Sequence, residues 1–106
     1  MITIYKYGID SSKIGEEQEF LLPVGSHILS CGVQGNSLIG TGLFFWAMVN
    51  TEETQKESRV LRVYITGEEI ACHYENMRFI SSIFVGDGVY MFHVFEVMAH
   101  KEKRTI

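Results

Sequence analysis

The chain has 106 residues, of which 46% are hydrophobic and 21% charged, and its formal net charge is −4. This length predicts one domain, and the composition excludes intrinsic disorder. The small acidic excess argues against nucleic acid as a partner, because phosphate binding requires clustered Lys and Arg.

The first third of the chain predicts strands separated by polar loops. β-branched and aromatic residues come in short runs punctuated by Gly, Asn and Asp, a pattern typical of an all-β domain. Residues 2–7 alternate as a strand, and residues 9–18 are predicted to form a loop. A short strand over residues 19–22 is expected to stop at Pro23, which cannot donate to a ladder.

The middle of the chain predicts two strands separated by flexible segments. Residues 27–33 form the first strand, and alternation places four of its residues on one face: His27, Leu29, Cys31 and Val33. Two turn-like segments, residues 34–36 and 37–42, delay the next strand until residues 43–49. Because residues 43–49 are apolar on both faces, we expect this strand to be central and covered on both sides.

The charged residues 51–59 predict a solvated loop before the next strand, over residues 60–66. Alternation within that strand directs three residues inward, namely Leu61, Val63 and Ile65, and three outward, namely Arg62, Tyr64 and Thr66. Residues 68–76 predict a loop or one turn of helix.

The last strands are predicted by a hairpin signal. The sequence Gly-Asp-Gly at residues 86–88 lies between two apolar runs, residues 79–85 and 89–97. Seven short strands in total predict a single-domain antiparallel β-sandwich or small barrel over residues 1–97. Residues 98–106 are expected to form a C-terminal tail.

The stretch MFHVFE contains the two residues of the chain that most resemble catalytic residues, His93 and Glu96. Three positions apart on a strand, they lie on opposite faces and do not form an acid–base pair. We therefore interpret His93 as a hydrogen-bonded, half-buried side chain and Glu96 as a carboxylate at the rim. An enzyme would need His93 or His73 to meet a partner from another strand.

Other catalytic and metal motifs are missing from the sequence. No Gly-x-Ser-x-Gly element surrounds a serine, and no lysine or helix follows the glycines of residues 35–42. The two cysteines, Cys31 and Cys72, do not have zinc-site spacing. We predict no catalytic residue, no metal and no cofactor.

The location is predicted from two further absences. No apolar run approaches the ~18 residues of a membrane helix, and no secretion signal opens the sequence. We therefore expect a cytoplasmic protein that has reduced thiols and no membrane partner.

An apolar surface is the most suggestive feature. Leu38 and Ile39 lie in a predicted exposed loop, and Phe44, Trp46 and Met48 form one face of an apolar strand. Exposed apolar patches of small proteins mark interaction sites. An ordinary core strand is the equally weighted alternative. Only a second layer or a partner subunit would cover both faces, and a homo-oligomer would supply such a subunit.

Five segments together resemble a family of small proteins of tailed bacteriophages and prophages: MITIYKYGI, ILSCGVQGN, FFWAMVN, RVLRVYITGEEI and VYMFHVFE. The similarity spans residues 1 to about 96. The resemblance implies a viral origin and a compact β fold, and it identifies no catalytic residue in this chain.

The chain departs from this pattern in two loops and at its end. Residues 37–42 lengthen a loop that is a tight hairpin in many relatives, and residues 68–76 lack the prolines that often follow the Thr-Gly pair. Residues 97–106 extend past the usual end. Loop changes of this kind alter binding specificity.

The leading hypothesis is a non-enzymatic phage accessory protein that binds a bacterial host protein and inhibits antiviral defence. The alternative is an oligomer that sequesters a nucleotide-type signal, with Tyr64 or Tyr74 on a base and Arg62 or Arg78 on phosphate. A small structural virion protein is a further alternative.

Overall fold

The computed structural model of the chain describes residues 1–36, 40–70, 74–85 and 90–98. Within these residues the strands are β1 (Ile2–Ile9), β2 (Gln18–Pro23), β3 (His27–Asn36), β4 (Gly40–Asn50), β5 (Lys56–Ile65), β6 (Met77–Val85) and β7 (Tyr90–Val97). Two single-turn 3-10 helices, Ser11–Lys13 and Tyr74–Asn76, precede β2 and β6.

The strands form two antiparallel sheets packed face to face. One sheet has the order β1-β4-β3 and the other the order β2-β5-β7-β6. The predicted all-β sandwich of seven strands is therefore confirmed. Neighbouring strands in each sheet include β3–β4 and β6–β7, which are consecutive in the chain.

The core lies between the two sheets and is centred on Phe45, whose side chain is fully buried. The Tyr7 ring stacks on Phe45 with centroids 5.0 Å apart, and the Phe20 ring meets it edge-on at 4.9 Å. Aromatic pairs of this geometry add to the burial of apolar area. The buried hydrophobic cluster comprises Ile9, Leu22, Ile28, Cys31, Leu43, Phe45, Ala47, Val49, Leu61, Val63, Ile83 and Val94.

Strand β4 is central, as predicted, but only one of its faces is buried. The inner face consists of Leu43, Phe45, Ala47 and Val49. The opposite face is partly open, because Met48 is 38% exposed and no described residue forms a layer over it. Within the described residues the chain itself covers one face of β4, and coverage of the other face by a partner subunit stays a prediction.

A bulge in β3 overturns the predicted face of that strand. Ile28 pairs with Ala47 and Ser30 pairs with Trp46, so Leu29 is the extra residue. An extra residue reverses the alternation beyond it. Ile28 and Cys31 consequently share the buried face, whereas His27 lies opposite Met48 on the outer face.

The hairpin between β3 and β4 is longer in its strands than predicted. Residues 34–36 pair with residues 40–42, so the two predicted flexible segments continue the ladder, and only residues 37–39 lie outside the described residues. The glycines of this region suggested turns. In the sheet, Gly42 instead leaves space for the ring of Phe44.

Strand β5 begins at Lys56, within the charged stretch that was predicted to be a loop. Arg59 pairs with Phe20 of β2, and both side chains point to the inner side of the sandwich. Leu61 and Val63 are buried as predicted, but Ile65 is 40% exposed at the end of the strand. Tyr64 lies on the predicted outer face and is nevertheless buried.

The C-terminal hairpin is confirmed by the antiparallel register of β6 and β7, which pairs Val85 with Tyr90. Residues 86–89 between them lie outside the described residues, as do residues 71–73 and 99–106. The division into a domain over residues 1–97 and a tail stays a prediction. Among the described residues, no helix is long and apolar enough to cross a membrane.

Candidate functional site

The outer side of the three-stranded sheet carries a group of mainly apolar side chains. We call it the aromatic face and define it by Ile2, Ile4 and Lys6 of β1, His27 and Ser30 of β3, and Phe44, Trp46 and Met48 of β4. The register brings them together in rows, since Met48 lies between Ile4 and His27. Trp46 lies between Lys6 and Ser30 in the next row.

Glycines of the sheet allow the two large rings to lie against its backbone. A Cβ atom on Gly32 would be 3.1 Å from Cζ3 of Trp46, and one on Gly42 would be 2.5 Å from Cε2 of Phe44. Positions without a side chain in a strand often mark such a close approach. The rings therefore form a low surface rather than projecting from the sheet.

Lys6 supplies the positive charge of the aromatic face. Its Nζ atom lies 4.5 Å from the centroid of the Phe44 ring and donates a 2.8 Å hydrogen bond to Oε1 of Gln34. The cation is attracted to the electron-rich face of the ring. Lys6 thus extends across β4 toward β3, away from the edge of the sheet.

The aromatic face is exposed at its β1 side. Ile2 is 60% exposed and Ile4 55% exposed. Next to them, an open depression of about 420 Å³ is lined by Ile2, Gly25, His27, Met48, Val49 and Asn50. An apolar surface rimmed by polar groups is the usual form of a protein interaction site.

The fold places three of the five predicted interface residues on one surface. Phe44, Trp46 and Met48 share the aromatic face, whereas Leu38 and Ile39 lie outside the described residues. The sequence reasoning missed Ile2, Ile4 and Lys6, although the alternation of residues 2–7 places these even-numbered residues on one face. What the sequence does not reveal is that β1 pairs with β4, from which it is separated by β2 and β3 along the chain.

The histidine of MFHVFE is held by two hydroxyl groups on the outer side of the other sheet. Its Nδ1 atom is 2.8 Å from Oγ of Ser82, and its Nε2 atom is 2.7 Å from Oγ1 of Thr66. The prediction of a hydrogen-bonded, half-buried His93 is confirmed. His93 therefore meets a hydroxyl partner from the neighbouring strand β6, which is the kind of contact that the enzyme hypothesis requires. Neither of its two partners is a carboxylate that would orient a general base.

Glu96 lies on the opposite face, as predicted, but it is buried and not at the rim. It is 3% exposed and accepts hydrogen bonds from Nη2 of Arg59 at 3.1 Å and from Nη2 of Arg78 at 2.9 Å, with a further bond from Nε of Arg59. Arg59 also donates to the carbonyl of Ser26 at 2.8 Å. This ion cluster joins β5, β6 and β7 to the β2–β3 turn.

The two arginines determine the charge state of Glu96. Burial raises the pKa of its carboxyl, but hydrogen bonds from Arg59 and Arg78 outweigh burial and lower it below its ordinary value. The hydrogen bond to Glu96 likewise raises the pKa of Arg59. Glu96 is therefore an ionised structural residue, since its oxygens are already occupied by arginines.

The residues that were predicted to bind a nucleotide lie on different sides of the four-stranded sheet. The guanidinium of Arg62 lies over the Tyr64 ring at 4.4 Å and donates to Glu68 at 3.0 Å on the outer side. Arg78 is on the inner side with Glu96, and the side chain of Tyr74 lies outside the described residues. The nucleotide-binding and virion-protein hypotheses stay predictions.

Metal ligands are not clustered in the described part of the chain. No group of three His, Cys, Asp or Glu side chains there has the geometry to hold an ion. Cys72 and His73, which the sequence placed side by side, lie outside the described residues.

Comparison with known proteins identifies one family. The family model DUF7352, a domain of unknown function, matches residues 1–105. The chain therefore belongs to this family. Neither a curated protein nor a solved structure matches it.

Proposed function

We propose that this DUF7352 member is a non-enzymatic accessory protein of a bacteriophage or prophage that binds a bacterial host protein through the aromatic face. The observation that carries the binding role is the uncovered apolar side of the three-stranded sheet, with Ile2, Ile4 and Met48 exposed. The phage setting rests on the sequence resemblance. A component of antiviral defence is the target class to test first.

The shape of the aromatic face favours a protein over a small molecule. Small-molecule sites are concave and enclose most of the ligand. Here Phe44 and Trp46 lie low on the sheet because glycines make space for them, and the neighbouring depression is open. Trp, other aromatic residues and Met are the types enriched where proteins bind each other.

The polar side chains support a binding role without chemistry. His93 is held between two hydroxyl groups on the outer side of the four-stranded sheet, and Glu96 is held between two arginines inside the sandwich. A serine that is activated by a histidine also needs a third group, usually a carboxylate, that orients the imidazole. The second ring nitrogen of His93 meets the hydroxyl of Thr66 instead, and the oxygens of Glu96 are occupied by arginines.

Site-specific photo-cross-linking in host cells tests the proposal. A photoreactive amino acid is placed at Met48, in the aromatic face, or at Leu21 as a matched control. Leu21 is a 64% exposed hydrophobic residue of β2, on the other sheet. Both positions are at the surface, so that unspecific capture affects them alike.

The proposal predicts that Met48 yields one host protein at a level well above Leu21. The same product should be lost when an unlabelled excess of wild-type protein competes. Equal products from Met48 and Leu21, or products that competition does not reduce, would refute binding through the aromatic face.

A further inference from the structure

The four edge strands of the sandwich differ in how well they are protected against pairing. Strands β3 and β6 each contain a bulge and lie against each other, with Ser81 donating to the carbonyl of Cys31 at 3.4 Å. Strand β2 has six residues, ends at Pro23 and carries the exposed Glu19. Bulges, prolines and charges are the usual devices that block an edge.

Strand β1 has none of these devices along its edge. It runs for eight residues in unbroken register with β4 and contains no proline. Its one charged residue is Lys6, and that side chain is directed over Phe44 to Gln34, away from the edge. A long edge in unbroken register that presents no free charge can pair with a further strand.

The register shows which backbone groups point out of the β1 edge. The Thr51 amide donates to the carbonyl of Met1 at 2.8 Å, one step beyond the pair of Ile2 with Asn50. Antiparallel pairs alternate between hydrogen-bonded and non-hydrogen-bonded. The odd-numbered residues of β1 therefore bond to β4. The even-numbered ones direct their N–H and C=O groups outward, namely Ile2, Ile4, Lys6 and Gly8.

We propose that two copies of this chain pair β1 with β1 in antiparallel orientation, about a twofold axis at Tyr5. In this register Ile2 pairs with Gly8 of the other copy, and Ile4 pairs with Lys6. All the outward N–H and C=O groups are then used in hydrogen bonds. The partly exposed Tyr5 side chains face each other across the axis, as an aromatic cross-strand pair.

Neighbouring registers of the same strand are less complementary. An axis at Lys6 would place the outward groups of Ile2 opposite Asp10, beyond the end of the partner strand. An axis at Ile4 would leave the outward groups of Gly8 beyond the end of the partner strand. The Tyr5 register avoids both defects, so that β1 is complementary to itself rather than to an arbitrary strand.

The dimer would contain a continuous six-stranded sheet of order β3-β4-β1-β1-β4-β3. A twofold axis perpendicular to the sheet keeps both aromatic faces on the same side. Ile2 and Ile4 of each copy would then lie in the middle of one extended apolar surface. This inference stands on the backbone of β1 and does not depend on the proposed host target.

Light scattering after gel filtration tests the dimer with one matched pair of variants. The wild type should show twice the 12.1 kDa chain mass at ~100 µM protein. Ile4→Pro removes an outward N–H without removing a bond to β4, so it should give a folded monomer. Ile4→Val keeps that N–H and should stay dimeric.

A disulfide test determines the register independently of Ile4→Pro. Facing residues in a non-hydrogen-bonded pair have Cα atoms about 4.5 Å apart, within disulfide range. Oxidised Tyr5→Cys should therefore give a dimer in which mass spectrometry finds the two copies joined by a disulfide at position 5. Ile4→Cys, offset from its own copy by about 8 Å, should not cross-link.

The outcomes separate the proposal from other assemblies. A monomeric wild type refutes it and would leave the β1 edge to a strand of another protein. A dimer that survives Ile4→Pro and forms no disulfide between the two copies of Tyr5→Cys has a different interface, which also refutes it. If Ile4→Pro fails to fold, the contrast between Tyr5→Cys and Ile4→Cys decides.

Discussion

Replacing Glu96 by Gln tests the role of the buried ion cluster. The substitution keeps the size of the side chain but removes the charge that Arg59 and Arg78 share. The Arg59 side chain is 16% exposed, and afterwards it would keep only Glu57 at 3.4 Å as a charged partner. A buried charge without its partner is strongly destabilising.

The expected loss is about 3 kcal/mol in the free energy of unfolding, the lower end of the range for breaking a buried pair, because Glu57 remains. For a domain of this size, this corresponds to a decrease in Tm of about 15 °C. Glu57→Gln is the matched control. The Glu57 side chain is 38% exposed, and its loss should cost less than ~0.5 kcal/mol.

The pH dependence follows from the pKa of Glu96, which folding lowers below its ordinary 4.5. A carboxyl of this kind stabilises the folded protein above its unfolded pKa, and this stabilisation is lost as pH falls through the folded value. The wild type should therefore be more stable than Glu96→Gln at neutral pH. The difference should shrink progressively below pH 4.5.

Urea unfolding followed by the fluorescence of the single tryptophan, Trp46, measures both effects. The midpoints should shift while the slopes with urea stay the same. A loss for Glu96→Gln no larger than that for Glu57→Gln would refute the reasoning. A difference from the wild type that does not change with pH would refute it as well.

Three further substitutions or reactions test the packing. Gly42→Ala should displace the partly buried Phe44 ring, because its Cβ would lie 2.5 Å from that ring, and the loss in the urea titration should stay below ~1 kcal/mol because the ring can move toward solvent. Unchanged NMR signals of the Phe44 ring would contradict that placement. Phe45→Ala should cost ~4 kcal/mol in the same titration, since the ring is fully buried, and a loss below ~2 kcal/mol would contradict its central position. Burial raises the pKa of Cys31 to about 12, so in a Cys72→Ser background a maleimide should label it only after unfolding, and rapid labelling of the native protein would contradict its burial.

The number of strands and their positions along the chain were predictable because alternation and turn residues are local signals. The strand over residues 43–49 was correctly expected to be central, and the Gly-Asp-Gly segment correctly indicated a hairpin between β6 and β7. Pro23 ends β2 as expected. These signals need no knowledge of which strand pairs with which.

The errors of prediction come from features that depend on pairing. The bulge at Leu29 reverses the faces of β3, and nothing in the local pattern distinguishes it from regular alternation. Arg59 made β5 resemble a loop, because its charge is compensated by Glu96, a residue that is distant in sequence. Glu96 was misplaced at the rim for the same reason.

The candidate site was predictable only in its central strand. Phe44, Trp46 and Met48 were recognisable as one apolar face, but their neighbours on β1 required the β1–β4 register. Which N–H and C=O groups of β1 point outward also depends on its pairing with β4, and the side-chain pattern does not reveal it. The aromatic face and the β1 edge could therefore be identified only from the fold, and no sequence motif predicts them.

The affinity of the captured host protein for three forms of this chain tests the proposed function most directly. The forms are the wild type, Met48→Lys in the aromatic face and Leu21→Lys on the other sheet. We predict that Met48→Lys weakens binding by about 30-fold, equivalent to ~2 kcal/mol, and that Leu21→Lys changes it by less than about twofold. Equal affinities of the two variants would contradict binding through the aromatic face.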